Sequence, residues 1–588
     1  MKISRIKIRN YRNIANVDII LNGTTAFIGE NNCGKSNILR AISLPLFSED
    51  STISKSLSWE DINNTAKKQY YKFLSDNLDR ILEDKVSEDE FVSVLPVVTV
   101  ELLFSPEDNE LYYVKDLAFD VSDNQILYGI LYQYQVAKPK VLLQTIKSIL
   151  SKEGTTIDID NIKRNLLPIQ LYSYSITVPD KGEKISYDTF KHFKYSVLQA
   201  ERDNFSYESN RVGSRSLVKL LQMQFSEEDQ LKIEKGYENF FETLKNLSGM
   251  DAIINLKDRN GIPNASDFIK GITVLPNMPP ISSILNSVRL GYAGENLSSQ
   301  GLGHRNLILL LVILNSLRDI NPETAINVLI VEEPEAHLCI NNVRLMCSFI
   351  NILTKNDPRI QFLYSTHSSE FVNKHNMNSV VILDEGNAFA LGTELNDCER
   401  SYLSKNPNTD IFKLFFSHRC ILVEGLSEEL LIKGYIESKS ELNDIDVISF
   451  HKGFEKIIDI WLKVNSKKRK KLGIIRDFDN QRNAQTKHEV YNNFPVICVQ
   501  TTQAYTLEPE IVKTGNNYML LREKYGNTYG WNNLNVEQLA MDWERRKSDV
   551  MLRISKDLAS GELDSFTMPQ HIQRVIEFLQ DGVGSDDN

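Results

Sequence analysis

The sequence predicts an α/β protein built on parallel sheets, with a largely helical insertion in its first part and a second, smaller α/β unit at its C-terminal end. Three observations predict it. From Leu297 onward short apolar runs alternate with helical patterns, as in a parallel sheet with crossover helices. A glycine-rich loop, Gly29-Glu-Asn-Asn-Cys-Gly34-Lys35-Ser36, stands between a β-rich run and a helical one. Paired acids close several of the apolar runs, at 332–333 and at 477–479.

The elements follow in order. KISRIKIR (2–9) alternates charged and apolar residues and VDIILNGTTAFI (17–28) is β-branched, so both read as strands leading into the loop. NILRAISLPLF then reads as a helix. VSVLPVVTVELLF (92–104) is a further β-rich run, and about 105–295 reads as a mostly helical, polar insertion that includes QILYGILYQYQVAKPKVLLQTIKSIL and FFETLKNLSGM. Beyond it VLIVEE, IQFLYSTHS and SVVILDEG read as strands, followed by CILVEG, DVISF, KLGIIRDFD and FPVICVQ. Polar NDCERSYLSKNPNTD separates the two sets, which places a domain boundary between 1–410 and 411–588. The 588 residues suit two to four domains at about 150 residues each.

Composition narrows the class. With 41% hydrophobic and 25% charged residues the chain is neither disordered nor collagenous. A net charge of −11 excludes a polybasic coat, so a polyanion has to meet a local patch or a bound cation. Six cysteines without CxxC pairing argue for reduced thiols and against a zinc ribbon. The charged opening lacks a signal-peptide apolar stretch, and the apolar run Leu307–Leu314 is far shorter than the roughly 20 residues of a spanning helix. A cytoplasmic protein with no membrane segment is therefore expected, and 307–314 is expected to be a buried helix.

The loop fits the GxxxxGK[ST] pattern in its required strand–helix context. Backbone N–H groups and the positive end of the next helix cradle phosphate oxygens, Lys35 reaches the β and γ phosphates, and the Ser36 hydroxyl ligates Mg²⁺. Gly29, Asn32, Gly34, Lys35, Ser36 and Asn37 are the nucleotide-binding candidates. In VLIVEEPEAHL, Glu332 can hold Mg²⁺ and Glu333 can orient or deprotonate water. His367, at the end of FLYSTHS, is placed to sense a γ phosphate, although a lone histidine there is more often structural. Leu297-Ser-Ser-Gln-Gly-Leu-Gly303 precedes an apolar helix, which adds Ser298, Ser299 and Gly301 as anion-binding candidates.

GENNCGKSN, LSSQGLG, VEEPEAHL and STHS, with the opening IKIRNYRNI, resemble in order and context the ABC-type ATPases of the RecF and structural-maintenance (SMC) group. The resemblance implies head-to-tail ATP sites in a homodimer or higher oligomer. The signature here is LSSQG rather than LSGGQ, and Glu332 stands where most members carry Asp, which implies slow or differently regulated hydrolysis. Gln199 is the candidate for the glutamine that lies between the two halves of that family's site.

A second constellation lies in the C-terminal third. CILVEG ends in Glu424, the next helix bears Glu428, and KLGIIRDFD ends in Asp477 and Asp479, which on an extended segment project to the same side. If the strands are neighbours, four carboxylates converge and call for one or two hard cations, a chemistry suited to phosphodiester cleavage. Lone acids of this kind are more often solvated. The pattern LVEG…DFD resembles a Toprim domain, and the whole chain resembles the OLD (overcoming lysogenization defect) family.

That resemblance implies an ABC-type ATPase sheet with a helical, dimerising insertion, followed by a C-terminal Toprim Rossmann-like nuclease domain. It also implies an ATP-regulated, Mg²⁺- or Mn²⁺-dependent DNA endonuclease in bacterial anti-phage defence, alone, beside a helicase as in Gabija, or beside a reverse transcriptase with its msDNA as in retrons. TLEPEI adds Glu508 as a metal ligand, and RRKSDVMLRI adds Lys547 as the lysine that stabilises charge on the scissile phosphate. Lys467, Lys468, Arg469, Lys470 and Lys471, with Arg211, Arg215 and Lys219, are weaker candidates for DNA contact. A RecF-type clamp without nuclease output and a topoisomerase-like enzyme are the alternatives.

Overall fold

A computed structural model describes residues 1–48, 54–119, 126–152, 159–198, 212–246, 280–285, 288–292, 294–316, 324–356, 359–368, 376–406, 409–450, 454–465, 470–479 and 482–581. The chain opens with a hairpin, β1 (Lys2–Tyr11) and β2 (Ile14–Ile20), whose alternation buries Ile3, Ile6 and Ile8. β3 (Thr24–Ile28) then enters a different sheet. The run 17–28, expected as one strand, is two, because Asn22-Gly23 breaks it.

β4 (Val98–Ser105), β5 (Ala118–Phe119), β6 (Leu127–Val136) and β7 (Tyr172–Thr177) join the hairpin in an antiparallel sheet of order β2-β1-β4-β6-β5, with β7 also on β6. Two expectations are corrected here. Residues 92–94 end a helix, Glu88–Val94, capped by the Ser87 side chain, and do not begin the strand. The stretch 105–295 is also not largely helical at its start: β6, β7 and β8 (Phe193–Leu198) are strands. In β6 Ile130, Tyr132, Tyr134 and Val136 are buried at every second position, a period-two pattern next to the amphipathic helix Pro139–Lys152. Helices Val212–Gln224 and Glu227–Asn246 supply the helical part among the described residues.

After the short pair β9 (Gly291–Tyr292) and β10 (Glu295–Asn296) come the buried helix Leu302–Ser316 and strands β11 (Ile326–Glu332), β12 (Ile360–Thr366), β13 (Val380–Asp384) and β14 (Asn387–Ala390). They form a sheet of order β14-β13-β3-β12-β11-β8, parallel except for the β13–β14 hairpin. β11 and β12 are buried nearly throughout, as a strand covered on both faces requires.

The last sheet contains β15 (Arg419–Val423), β16 (Ile445–Ser449), β17 (Lys471–Arg476) and β18 (Ile497–Thr501) in the order β16-β15-β17-β18, all parallel. Its core is continuous with that of the preceding sheet: Phe362, Tyr364 and Leu403 belong to one cluster with Phe412, Phe415, Leu422, Trp461 and Ile474. Burying each such side chain contributes about 1.5–3 kcal/mol, so residues 411–416 join the two sheets firmly. None of the six cysteines forms a disulfide. Among the described residues no helix is long and apolar enough to cross a membrane.

Candidate functional site

Three adjacent parallel strands assemble the first site. β3 delivers the loop 29–36, β12 delivers His367 and β11 delivers Glu332 and Glu333, with Ile28 opposite Thr366 and Ser365 opposite Glu332. The loop turns through positive φ at Asn32 (63°) and Gly34 (113°) into helix Lys35–Ser43. A side chain at Gly29 would meet the carbonyl oxygen of Leu383 at 2.4 Å, so the loop lies too close to β13 for any Cβ there.

Lys35 is buried and its Nζ donates to the carbonyls of Gly29 (2.9 Å) and Glu30 (2.6 Å). Burial lowers its pKa, against the pull of Cys33 and Glu333. Ser36 is exposed at the head of the helix. Asn37 faces another way: its Nδ2 donates to Asn13 Oδ1 (2.8 Å) and its Oδ1 accepts from Arg12 (2.8 Å), while Asn13 donates to Asn32 O (3.1 Å). Arg12, Asn13, Asn37, Arg40 and Asp61 line a cavity of about 850 Å³ beside the loop. Arg12 and Asn13, missed as individual site residues, lie in IKIRNYRNI, where an Arg-Asn pair between two strands was the available signal.

Glu333 takes a left-handed conformation (φ 44°), and its N–H donates to Ser365 O (3.0 Å). Its Oε1 lies 3.4 Å from His367 Nε2. Burial lowers the pKa of His367, Lys35 adds to this and Glu333 opposes it. Glu335, which sequence reasoning passed over, accepts from Thr366 Oγ1 and from His367 N (3.1 Å) and so fixes the His367 loop. Burial raises its pKa. Ser298 and Ser299 lie in the turn Leu297–Ser299, where Ser299 Oγ donates to Glu295 (3.1 Å), and Gly301 is exposed just before helix Leu302–Ser316.

The second site occupies the C-terminal edge of the last sheet. β15 and β17 are neighbours, so Glu424 and Asp477 follow adjacent strand ends. Glu428 lies in the first turn of helix Leu426–Glu437, Glu508 in that of Leu507–Lys513, and Lys547 opens Lys547–Ala559. Asp477, Glu428 and Glu508 are 8%, 6% and 1% exposed. Burial, then Glu428, Glu424 and Glu508, push the Asp477 carboxyl up to about 8. Burial likewise raises Glu428. Lys547 Nζ stands 3.5 Å from Glu508 Oε2, and for Lys547 the carboxylates Glu508 and Asp477 outweigh burial and hold it protonated.

Asp479 departs from expectation. β17 ends at Arg476, and Asp479 sits in a left-handed turn (φ 48°) with its N–H on Tyr505 O (3.0 Å). The two aspartates are therefore not alternating positions of one extended strand, and the group bearing on Asp477 is Glu424, Glu428 and Glu508.

Both oxygens of Glu508 and Oδ1 of Asp477 are buried without a hydrogen-bond partner, a donor set that suits a hard cation. Among the described residues no three His, Cys, Asp or Glu side chains are placed to hold a metal ion together, so a shared cation would require these carboxylates to move.

The AAA ATPase domain family matches residues 1–372, which contain the phosphate loop, the acid pair and His367. The chain belongs to this family. Endonuclease GajA of Bacillus cereus strain HuB5-5 is 21% identical over 575 residues, covering 86% of this chain and 79% of that protein. Endonuclease GajA of strain VD045 is 23% identical over 460 residues, covering 75% and 69%. Among solved structures, the SMC head domain from Thermotoga maritima aligns at 12% identity and a TM-score of 0.27, over 66% of this chain and 99% of that one. The SMC head bound to the C-winged helix domain of ScpA aligns at 14% and 0.30, over 66% and 97%.

In this AAA ATPase the expected basic stretch is corrected in part. Lys470 is 3% exposed and its Nζ donates to Phe415 O (2.6 Å) near Asp384, while Lys471 donates to Phe578 O (2.7 Å), so both are occupied internally. Lys467, Lys468, Arg469, Gln199 and Arg211 lie outside the described residues. Arg215 and Lys219 lie on helix Val212–Gln224, where Lys219 is exposed.

Proposed function

We propose that the chain is an ATP-regulated, divalent-metal-dependent DNA endonuclease. Residues 1–410 carry the nucleotide site and 411–588 form a Toprim nuclease domain. The observation that carries the reading is the buried carboxylate group of Asp477 and Glu508, with three oxygens lacking a hydrogen-bond partner, beside Glu424 and Glu428 at neighbouring strand ends and with Lys547 in ion-pair range of Glu508. Similarity to GajA endonucleases over most of the chain supports it.

Glu424, Glu428, Asp477 and Glu508 would hold Mg²⁺ or Mn²⁺, with Asp479 at the edge of the group. When bound, such ions supply an activated water and neutralise charge on the leaving oxygen. Lys547, kept protonated by its acidic neighbours, binds the scissile phosphate and stabilises charge developing on it. In the ATPase half the loop 29–36 of one protomer and the segment 297–301 of its partner would bind the triphosphate, Ser36 and Glu332 would hold its Mg²⁺, Glu333 orients water, and His367 reports on the γ phosphate. The OLD resemblance supports a homodimer acting in anti-phage defence, standalone, retron-linked or Gabija-like.

Supercoiled and linear DNA incubated with Mg²⁺ or Mn²⁺, with and without ATP, tests the reading. Wild type is expected to cut, Asp477→Asn to lose cutting, and Lys35→Ala to cut without responding to ATP. Cutting that survives in Asp477→Asn would remove the chemistry from this cluster. Topology change without cut ends would favour the topoisomerase-like alternative.

A further inference from the structure

Arg476 closes β17 directly before Asp477 and is 3% exposed. Its Nε lies 3.6 Å from Glu424 Oε1, in ion-pair range but too far for a hydrogen bond, and both Nε and Nη1 are buried without a hydrogen-bond partner. A buried guanidinium with unmet donors is costly, and it is retained where something completes it. Its register partner across β17–β18, Thr501, also buries a hydroxyl without a partner, so the unmet groups gather at the strand ends that carry the carboxylates.

Resting on the reading of this cluster as a cation site, we infer that Arg476 is a positioning residue for it. The guanidinium would set the orientation of the Glu424 carboxylate toward a cation held with Glu428, Asp477 and Glu508, and a hydrogen-bonded Arg476–Glu424 pair is the arrangement expected of the loaded site. Arginine suits the role because its charge persists in burial and its planar fork sets the carboxylate's orientation. Lys547 pairs with a different carboxylate, Glu508, at 3.5 Å.

Mn²⁺ binding to the full-length, nucleotide-free protein, followed by calorimetry and electron paramagnetic resonance, tests this. Wild type against Asp477→Asn first identifies binding at the cluster. If the two bind alike, the cation-site reading fails and the role of Arg476 falls with it. Given a difference, Arg476→Gln is expected to weaken Mn²⁺ binding about 10–100-fold, and to have no further effect in a Glu424→Gln background. A cation that merely offset charge would, when removed, tighten Mn²⁺ binding. Unchanged or tighter binding in Arg476→Gln therefore overturns the proposal, as does an equal loss with and without Glu424. Should Arg476→Gln fail to fold, Arg476→Lys carries the same test. It keeps the charge and loses the fork, and wild-type Mn²⁺ affinity would overturn the proposal.

Discussion

Glu30 of the phosphate loop and His418, the residue before β15, meet at 3.1 Å between Oε2 and Nε2. One end of β15 thus touches the nucleotide loop, and the other end leads into Glu424. Both side chains are about half exposed, so the pair adds at most about 1 kcal/mol to stability. His418→Ala is expected to leave thermal stability and ATP turnover near wild type while reducing the effect of ATP on DNA cleavage. Cleavage assays with and without ATP check this, and an undiminished response would rule the contact out as a route between the sites.

Glu333 lies beside His367 at the strand edge facing the phosphate loop. Glu333→Gln is expected to slow ATP hydrolysis by about 10²–10⁴-fold, the usual contribution of a general base. Nucleotide affinity should hold within a few-fold. Phosphate release and equilibrium nucleotide binding measure the two separately, and a matching loss of affinity would mean that Glu333 supports the fold of the site instead.

The Asp477 carboxyl, raised to about 8 by burial and by its acidic neighbours, links stability to pH. Its folded value lies above its unfolded one, so the metal-free folded state keeps a proton that the unfolded chain releases. This group therefore favours folding least at alkaline pH, and stability falls as pH rises from about 4 to 8. Asp477→Asn is expected to raise the Tm of metal-free protein at pH 8, by about 1 kcal/mol or more in stability. It should also abolish the Tm rise on adding Mn²⁺. Thermal melts at pH 6 and pH 8 read both effects.

Gly303, in the first turn of helix Leu302–Ser316, approaches the loop after the acid pair so closely that a Cβ would meet His337 O at 2.2 Å. Gly303→Ala must displace either helix Leu302–Ser316 or the loop, at a cost of about 1–3 kcal/mol. ATP turnover should fall together with stability, whereas Gly301→Ala, whose Cβ would meet nothing within 4 Å, should leave stability unchanged. Denaturant unfolding of both variants makes the comparison.

Where chemistry follows local spacing, the site was legible in sequence: the loop 29–36 and the acids 332–333 each lie within one strand–loop unit. Glu335 was not legible as a positioning group because its role depends on Thr366 and His367, about thirty residues away. β6 was misread since its alternating pattern runs into an amphipathic helix, and pairing with β4 and β7 decides between the two. Asp479 was misplaced because the positive φ that ends the strand's geometry leaves no mark on the pattern DFD.

By itself the sequence determined the α/β class, the phosphate loop and the alternation of strands, because these depend on residue order and on periods of two and 3.6. Only the tertiary structure decided that β3 lies between β12 and β13, that Glu508 joins Asp477 and Glu428, and that Arg476 lies against Glu424. These are contacts between segments separated by tens to hundreds of residues. They arise from sheet order and from the burial of whole faces, which no local pattern encodes.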